Sequence, residues 1–249
     1  MITLNAQDIS KAFGGLHVLR RVSLTIRQGQ VTALIGPNGA GKTTLANIIT
    51  GFSAPDDGRI ILGDRDVTKL DVHRRARLGM GRTFQNLQLF NELSVRENVV
   101  LGRYGKFRRP AWSCRPSAED YAEADASLEK MGLADCAERA AGALSFGQSK
   151  MLELARLHVM KPDIVIMDEP AAGLPGDRTA ELGKWIRSMR EQGIGMMLIE
   201  HNMRLVMGVA DYVYVLDRGE MIAEGHPQAV RENAQVLKAY LGGPVGAVL

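Results

Sequence analysis

Cysteine is nearly missing from this chain. Its 249 residues include two, Cys114 and Cys136. They lack CxxC spacing and are too few for a disulfide framework, so both read as bystander thiols of a reducing compartment. Charge of one sign is not in excess either: 31 basic against 28 acidic residues leave a net charge of +3. That balance is too even for a nucleic-acid partner, which calls for a denser basic face. Long apolar runs are also missing. Val31 to Ile35 and Ile164 to Met167 fall far short of the roughly 18 residues of a membrane span. If the protein works at a membrane, another chain must hold it there. The opening Met1-Ile2-Thr3-Leu4-Asn5 has no basic segment followed by an apolar one, so no secretory signal is expected. There is no internal repeat and no low-complexity tract.

What is there suits a soluble globular protein with a sizeable core: 45% hydrophobic and 24% charged residues. The length fits one α/β domain, or a core with a lobe inserted into it. From Ile2 to Ile26 alternation appears in patches, with Val22, Leu24 and Ile26 facing one way and a break at Gly14-Gly15. This predicts antiparallel strands joined by a turn. Val31 to Ile35 is a continuous run, apolar but for Thr32 and bounded by Gly29 and Gly36, as a buried central strand should be. Lys42 to Thr50 reads as a helix ended by Gly51. Helical patterns at Ala118 to Met131 and Phe146 to Met160 lie inside a stretch of different character, about 86–160. That stretch is read as a helical lobe inserted into a core of about 1–85 and 161–225, with a tail at about 226–249. Strand patterns at Ile164 to Met167 and Met196 to Ile199 flank a helix from Thr179 to Glu191. Strand–helix–strand order implies a parallel sheet.

Two stretches carry chemistry. Gly36-Pro37-Asn38-Gly39-Ala40-Gly41-Lys42-Thr43-Thr44 fits G-x-x-x-x-G-K-[ST] between a predicted strand and a predicted helix. Glycines there let backbone amides converge on phosphate oxygens, and the helix N-terminus adds donors and a positive dipole end. Lys42 can reach the β- and γ-phosphates of a nucleotide, and the Thr43 hydroxyl can ligate Mg²⁺. The second stretch is the apolar strand ending in Asp168-Glu169-Pro170. Strand C-termini are where open α/β sheets place ligands. Asp168 is expected to hold Mg²⁺, directly or through water, and Glu169 to polarise an attacking water.

Leu144-Ser145-Phe146-Gly147-Gln148, shortly before the Asp-Glu strand, resembles the signature motif of ATP-binding-cassette (ABC) ATPases. The likeness covers nearly the whole chain. It implies an α/β P-loop NTPase core with a mixed sheet, an N-terminal antiparallel β subdomain and an inserted helical lobe. It also implies ATP and Mg²⁺ as ligands, and ATP held between two head-to-tail cassettes. In that likeness Gln85 is the glutamine that senses metal and water and faces the membrane partner. His201 is the switch histidine at the γ-phosphate, and Phe13 stacks on adenine. Ser145, Gly147 and Gln148 serve the nucleotide of the opposite cassette. Taken singly, Gln85 would be a surface residue, His201 a packing or capping residue and Phe13 core or turn packing.

Gly81 to Asn86, the insert after Leu101, Asp168 to Leu174 and the ending Ala239-Tyr240-Leu241-Gly242 resemble the ATPases of branched-chain amino acid importers. ATPases for urea or amide uptake and for lipopolysaccharide export are near neighbours. The importer likeness implies transmembrane permease chains, often a second ATPase subunit, a periplasmic binding protein and a place at the cytoplasmic face of the inner membrane. A soluble ABC ATPase acting on nucleic acid or ribosomes is the alternative. One departure stands out: Pro175 occupies a position where the family presents an Asp, or this group an Asn. Pro175 has no polar side chain and no amide proton, and Asp177 is expected to cap a helix from Thr179. Two further features read blandly. The basic stretch Arg103, Lys106, Arg108, Arg109 and Arg115, interleaved with Tyr104, Phe107 and Trp112, is taken as a solvated insert. Met196, Met197, Met203 and Met207 are taken as core filling.

Overall fold

The computed structural model describes residues 2–83, 88–104 and 115–241. The chain opens with β1 (Thr3–Phe13), β2 (Leu16–Arg27), β3 (Val31–Ile35) and α1 (Lys42–Thr50). Next come β4 (Asp57–Leu62), β5 (Arg65–Asp66), α2 (Val72–Arg77) and β6 (Met80–Arg82). The helices α3 (Val95–Arg103), α4 (Ala118–Lys130) and α5 (Phe146–Val159) follow. The chain then forms β7 (Ile164–Asp168), α6 (Gly176–Glu191), β8 (Gly195–Ile199), α7 (Met203–Val209), β9 (Tyr212–Asp217) and β10 (Glu220–Gly225). It closes with α8 (Pro227–Arg231) and α9 (Ala234–Leu241). Two compact units result: Met1–Arg75 with Asp163–Leu249, and Ala76–Pro162.

The first unit contains an antiparallel sheet in the order β2-β1-β4-β5 and a second sheet in which β10, β9, β3, β8 and β7 are successive neighbours. In the latter, β3 pairs in parallel with both β8 and β9, and β8 with β7. Every residue of β3, β7 and β8 is buried. That explains their largely apolar sequences, interrupted by Thr32 in β3 and ended by Asp168 in β7, since a strand covered on both faces has no polar side to alternate with. Each fully buried Val, Leu or Ile contributes about 1.5–3 kcal/mol. Because the three strands are parallel, the segments after Ile35, Asp168 and Ile199 all leave from one edge of the sheet. Met196 and Met197 are fully buried, as expected for core filling.

Helix α1 starts and stops where its sequence predicts. Gly51 closes it at φ 86, returning its amide to Asn47 and Ile48. The remaining carbonyls of its last turn meet a buried cation. Arg75 is 1% exposed; its guanidinium donates to the carbonyls of Ile48 at 2.6 Å, Leu70 at 2.9 Å and Thr68 at 2.9 Å, and also to Ile49. Burial pulls its pKa down to about 10, so it stays charged at neutral pH and favours the negative end of the helix dipole. Helix α6 begins at Gly176, not Thr179, with Pro175 in the cap position and no capping side chain. Asp177 therefore sits inside the first turn, where its charge suits the positive helix end, and it is not the cap that its sequence position suggested.

The second unit is built on three helices, each opened by a reciprocal capping box: Ser94 with Glu97, Ser117 with Asp120, and Ser145 with Gln148. Gly102 of α3 lies so close to α5 that a Cβ there would sit 2.3 Å from the Arg156 carbonyl. Arg103 departs from its reading as part of a solvated basic insert. It is 8% exposed, 2.7 Å from the Asp120 carboxylate and also ion-paired with Glu123. The remainder of that stretch from Lys106 to Cys114, including Phe107, Arg108, Arg109 and Trp112, lies outside the described residues. Among the described residues no helix is long and apolar enough to cross a membrane.

Candidate functional site

The first unit gathers the loop after β3, the end of β7 and the turn after β8. The loop Gly36 to Gly41 has three glycines with positive φ: Gly36 at 150°, Gly39 at 79° and Gly41 at 105°. At Gly36 the requirement is also steric, because a Cβ there would lie 1.9 Å from the Leu216 carbonyl oxygen of β9. Gly41 occupies the cap position of α1 and has no side chain to satisfy the first amides of Lys42, Thr43 and Thr44. A helix start of this kind suits a phosphate.

Lys42 is 6% exposed, and its ammonium donates to the carbonyls of Gly36 at 2.8 Å and Pro37 at 2.9 Å. Burial pulls its pKa down, while the carboxylates of Glu169 and Asp168 oppose that shift. The cation thus shares its electrostatic surroundings with the two acids at the end of β7. Asp168 is 2% exposed. Thr43 is exposed at the start of α1. A hydroxyl and a single carboxylate are a donor set that fits Mg²⁺, which keeps several waters and takes its other oxygens from phosphates. Among the described residues no cluster of three or more His, Cys, Asp or Glu could hold a metal unaided.

Glu169 turns sharply out of β7 with φ 51, a left-handed conformation that costs a non-glycine residue about 1–3 kcal/mol and recurs at functional sites. Its amide donates to the Ile199 carbonyl at 2.9 Å. The His201 Nε2 atom lies 2.9 Å from Glu169 Oε1. An ionised carboxylate only accepts, so Nε2 carries the proton. Between the two turns lies Glu200, which the sequence reading did not single out. Its signal was available: like Asp168, it is an acid directly after an apolar run.

Phe13 is 53% exposed at the tip of the β1–β2 hairpin, with the Lys11 ammonium 5.4 Å from its ring centroid. It is not a core residue. Tyr240 of α9 packs against the core cluster that includes Ala33 and Ile35 of β3, and burial pushes its hydroxyl pKa up to about 12, opposed by the backbone of Gly36. In the second unit, Ser145 and Gly147 stand at the start of α5. The Ser145 Oγ accepts from the Gln148 amide at 3.3 Å, and the Gln148 side chain accepts from the Ser145 amide at 3.0 Å. The hydroxyl proton of Ser145 is thereby left to donate outward. Gln85, with Phe84 and Asn86, lies outside the described residues.

Residues 19–172 match the ABC transporter family, and residues 220–245 match a second family described as branched-chain amino acid ATP-binding cassette transporter. The chain is 40% identical to the high-affinity branched-chain amino acid transport ATP-binding protein BraF of Pseudomonas aeruginosa, over 96% of this chain and 97% of that protein. It is 39% identical to the corresponding protein LivG of Escherichia coli K12, with the same coverage. Among solved structures, an ATP-binding cassette of an ABC transporter in its ADP conformation superposes with a TM-score of 0.87 at 33% identity, covering 98% of this chain and 100% of that one. A P-loop α/β cassette with this likeness along nearly its whole length belongs to the ABC transporter family, as one of its nucleotide-binding ATPases.

Proposed function

We propose that this chain is the ATP-hydrolysing subunit of a branched-chain amino acid importer, held peripherally at the cytoplasmic face of the inner membrane by transmembrane permease chains. The observation that supports this reading best is the C-terminal stretch. The segment resembling the importer ATPases is the one whose Tyr240 packs against the core cluster with Ala33 and Ile35, on the strand that leads into the phosphate loop. The part of the sequence that resembles the importer group thus supports the strand that delivers the proposed phosphate loop. In such a system a second ATPase subunit and a periplasmic binding protein complete the machine, and cargo is selected outside this chain.

The chemistry assigned to each residue follows from its place. Backbone amides from Gly36 to Thr44 cradle the phosphates, and Lys42 leaves its loop carbonyls for the β- and γ-oxygens. Thr43 and Asp168 would hold Mg²⁺, with Gln85 as a further ligand; the ion would neutralise charge developing on the phosphate oxygens. Glu169 orients and polarises the attacking water, and His201 donates from Nε2 toward the γ-phosphate. Phe13 offers its exposed ring to adenine. Ser145, Gly147 and Gln148 face the nucleotide of a second cassette, so ATP joins two subunits and its hydrolysis releases them. Closure and release are passed to the permease.

The test is a tagged pull-down from detergent-solubilised membranes with identification of the copurifying chains. Two multi-span permeases and a second cassette support the importer reading, and ATP-driven leucine uptake by that complex in vesicles would establish its cargo. Recovery of this chain alone, or with nucleic acid, would overturn the reading in favour of a soluble mechanochemical ATPase.

A further inference from the structure

Three backbone amides converge on one buried carboxylate. Glu200 follows β8 directly and is 3% exposed. Its Oε1 accepts from the amide of Ala171 at 2.7 Å. Its Oε2 accepts from the amides of His201 at 3.1 Å and Asn202 at 3.3 Å. The first amide belongs to the turn that follows Glu169. The other two belong to the turn that carries His201. One side chain therefore ties together two segments 29 residues apart, directly behind the contact between His201 and Glu169 at 2.9 Å.

Helix capping does not account for this arrangement. The start of α7 has its own cap in Asn202, whose side chain accepts from the Leu205 amide at 3.1 Å. Glu200 instead meets an unusual demand at Glu169, whose φ of 51° persists only where the surroundings over-determine it. The hydrogen bond from the Glu169 amide to Ile199 at 2.9 Å fixes one side of that turn. The bond from Ala171 to Glu200 fixes the other side, two residues later. A buried carboxylate is costly to leave unpaired, so the same bonds that satisfy Glu200 hold both turns in register.

We infer that Glu200 is a positioning residue of the hydrolytic site: it clasps the turn after Glu169 to the turn of His201, and so sets the spacing between the water-activating carboxylate and the imidazole. The inference rests on the roles assigned above to Glu169 and His201. Glu200 is buried behind the two turns, with backbone amides as its partners, and it acts through the two residues it spaces. Glutamine in its place keeps one acceptor oxygen and turns an NH₂ group toward amide donors, so one of the two turns is released.

The experiment is steady-state ATP turnover by the full chain in its ATP-hydrolysing assembly, comparing wild type with Glu200→Gln, Glu200→Asp and His201→Ala. Glu200→Gln is expected to lower kcat at least tenfold with the KM for ATP within twofold. Glu200→Asp, which retains two acceptor oxygens, recovers part of that loss. A wild-type kcat in Glu200→Gln, or a rise in KM that accounts for the whole loss, overturns the inference. Wild-type turnover in His201→Ala overturns the underlying site assignment instead. Should Glu200→Gln yield no folded protein, Glu200→Asp decides: reduced kcat at unchanged KM supports the inference, and wild-type kcat sinks it.

Discussion

The imidazole Nε2 of His201 stands 2.9 Å from Oε1 of Glu169, although 32 residues separate the two in sequence. The contact joins the ring nitrogen and the carboxylate at the edge of the sheet, and a γ-phosphate with its attacking water would have to part it to reach both groups. Replacing Glu169 with Gln keeps the shape and removes the proposed base. Turnover should fall by about a hundredfold or more, the usual loss for a positioned base, while ATP binding persists. Size-exclusion chromatography in saturating ATP should then show a lasting cassette dimer. A monomer under those conditions would contradict the shared-nucleotide arrangement for two copies of this chain.

Gly36 makes a different kind of demand. Its φ of 150° and the 1.9 Å that would separate a Cβ from the Leu216 carbonyl leave no room for alanine. Gly36→Ala should destabilise the protein by about 2 kcal/mol or more, combining backbone strain with displacement of β9. It should also abolish binding of a fluorescent ATP analogue. Urea denaturation beside a binding titration checks both; a variant within about 0.5 kcal/mol of wild type, the range of an innocuous substitution, would show that the loop yields more readily than its geometry indicates.

Glu200 predicts a pH signature of stability. Burial pushes its carboxyl above the ordinary value of 4.5, nearby Glu169 pushes the same way, and the three amide donors work against both. The folded protein therefore holds this proton at pH values where the unfolded chain has lost it. Stability from this group is fully present below pH 4.5 and is lost as pH rises through the folded value. Glutamine does not titrate. Urea midpoints of wild type and Glu200→Gln from pH 4.5 to 8 should thus shift in favour of the variant as pH rises, then level off. A gap independent of pH would mean that the carboxyl titrates alike in both states.

Much of this architecture was legible because β3, β7 and β8 are covered on both faces, which leaves an unmistakable apolar run. Contiguity helped at the phosphate loop, where glycines, lysine and helix start follow one another. The burial of Arg103 was not legible, because its partners Asp120 and Glu123 come from the next helix and only folding brings them close. The strand β9, the hairpin partner β10 and the helices α8 and α9 went unread: their runs are short, and their burial depends on β3 nearly 180 residues earlier. The early start of α6 was hidden by Gly176, a weak helix former in isolation that the first turn tolerates. In the site, Lys42, Asp168, Glu169 and His201 are drawn together by the parallel strands, whereas the role of Glu200 depends on amides that no side-chain pattern reveals.

Pro175 supplies the last prediction. Its closed ring provides no donor at the step into α6, where the family resemblance leads one to expect a polar side chain, and communication between paired sites is expected to be weak. Pro175→Asn should raise the Hill coefficient for ATP hydrolysis. An unchanged coefficient would place the coupling elsewhere.

The strand that delivers the phosphate loop is flanked by β8 and β9, and Val31 stands 180 positions before the Asp211 carboxylate that accepts from its amide. On a ribosome the loop sequence emerges early, but both neighbours of its strand are still unmade. Contacts of such sequence separation form late and slowly. The newborn N-terminal half therefore cannot use nucleotide as a folding aid, and the capacity to hold ATP arrives abruptly, only after the last strands of the sheet have been synthesised.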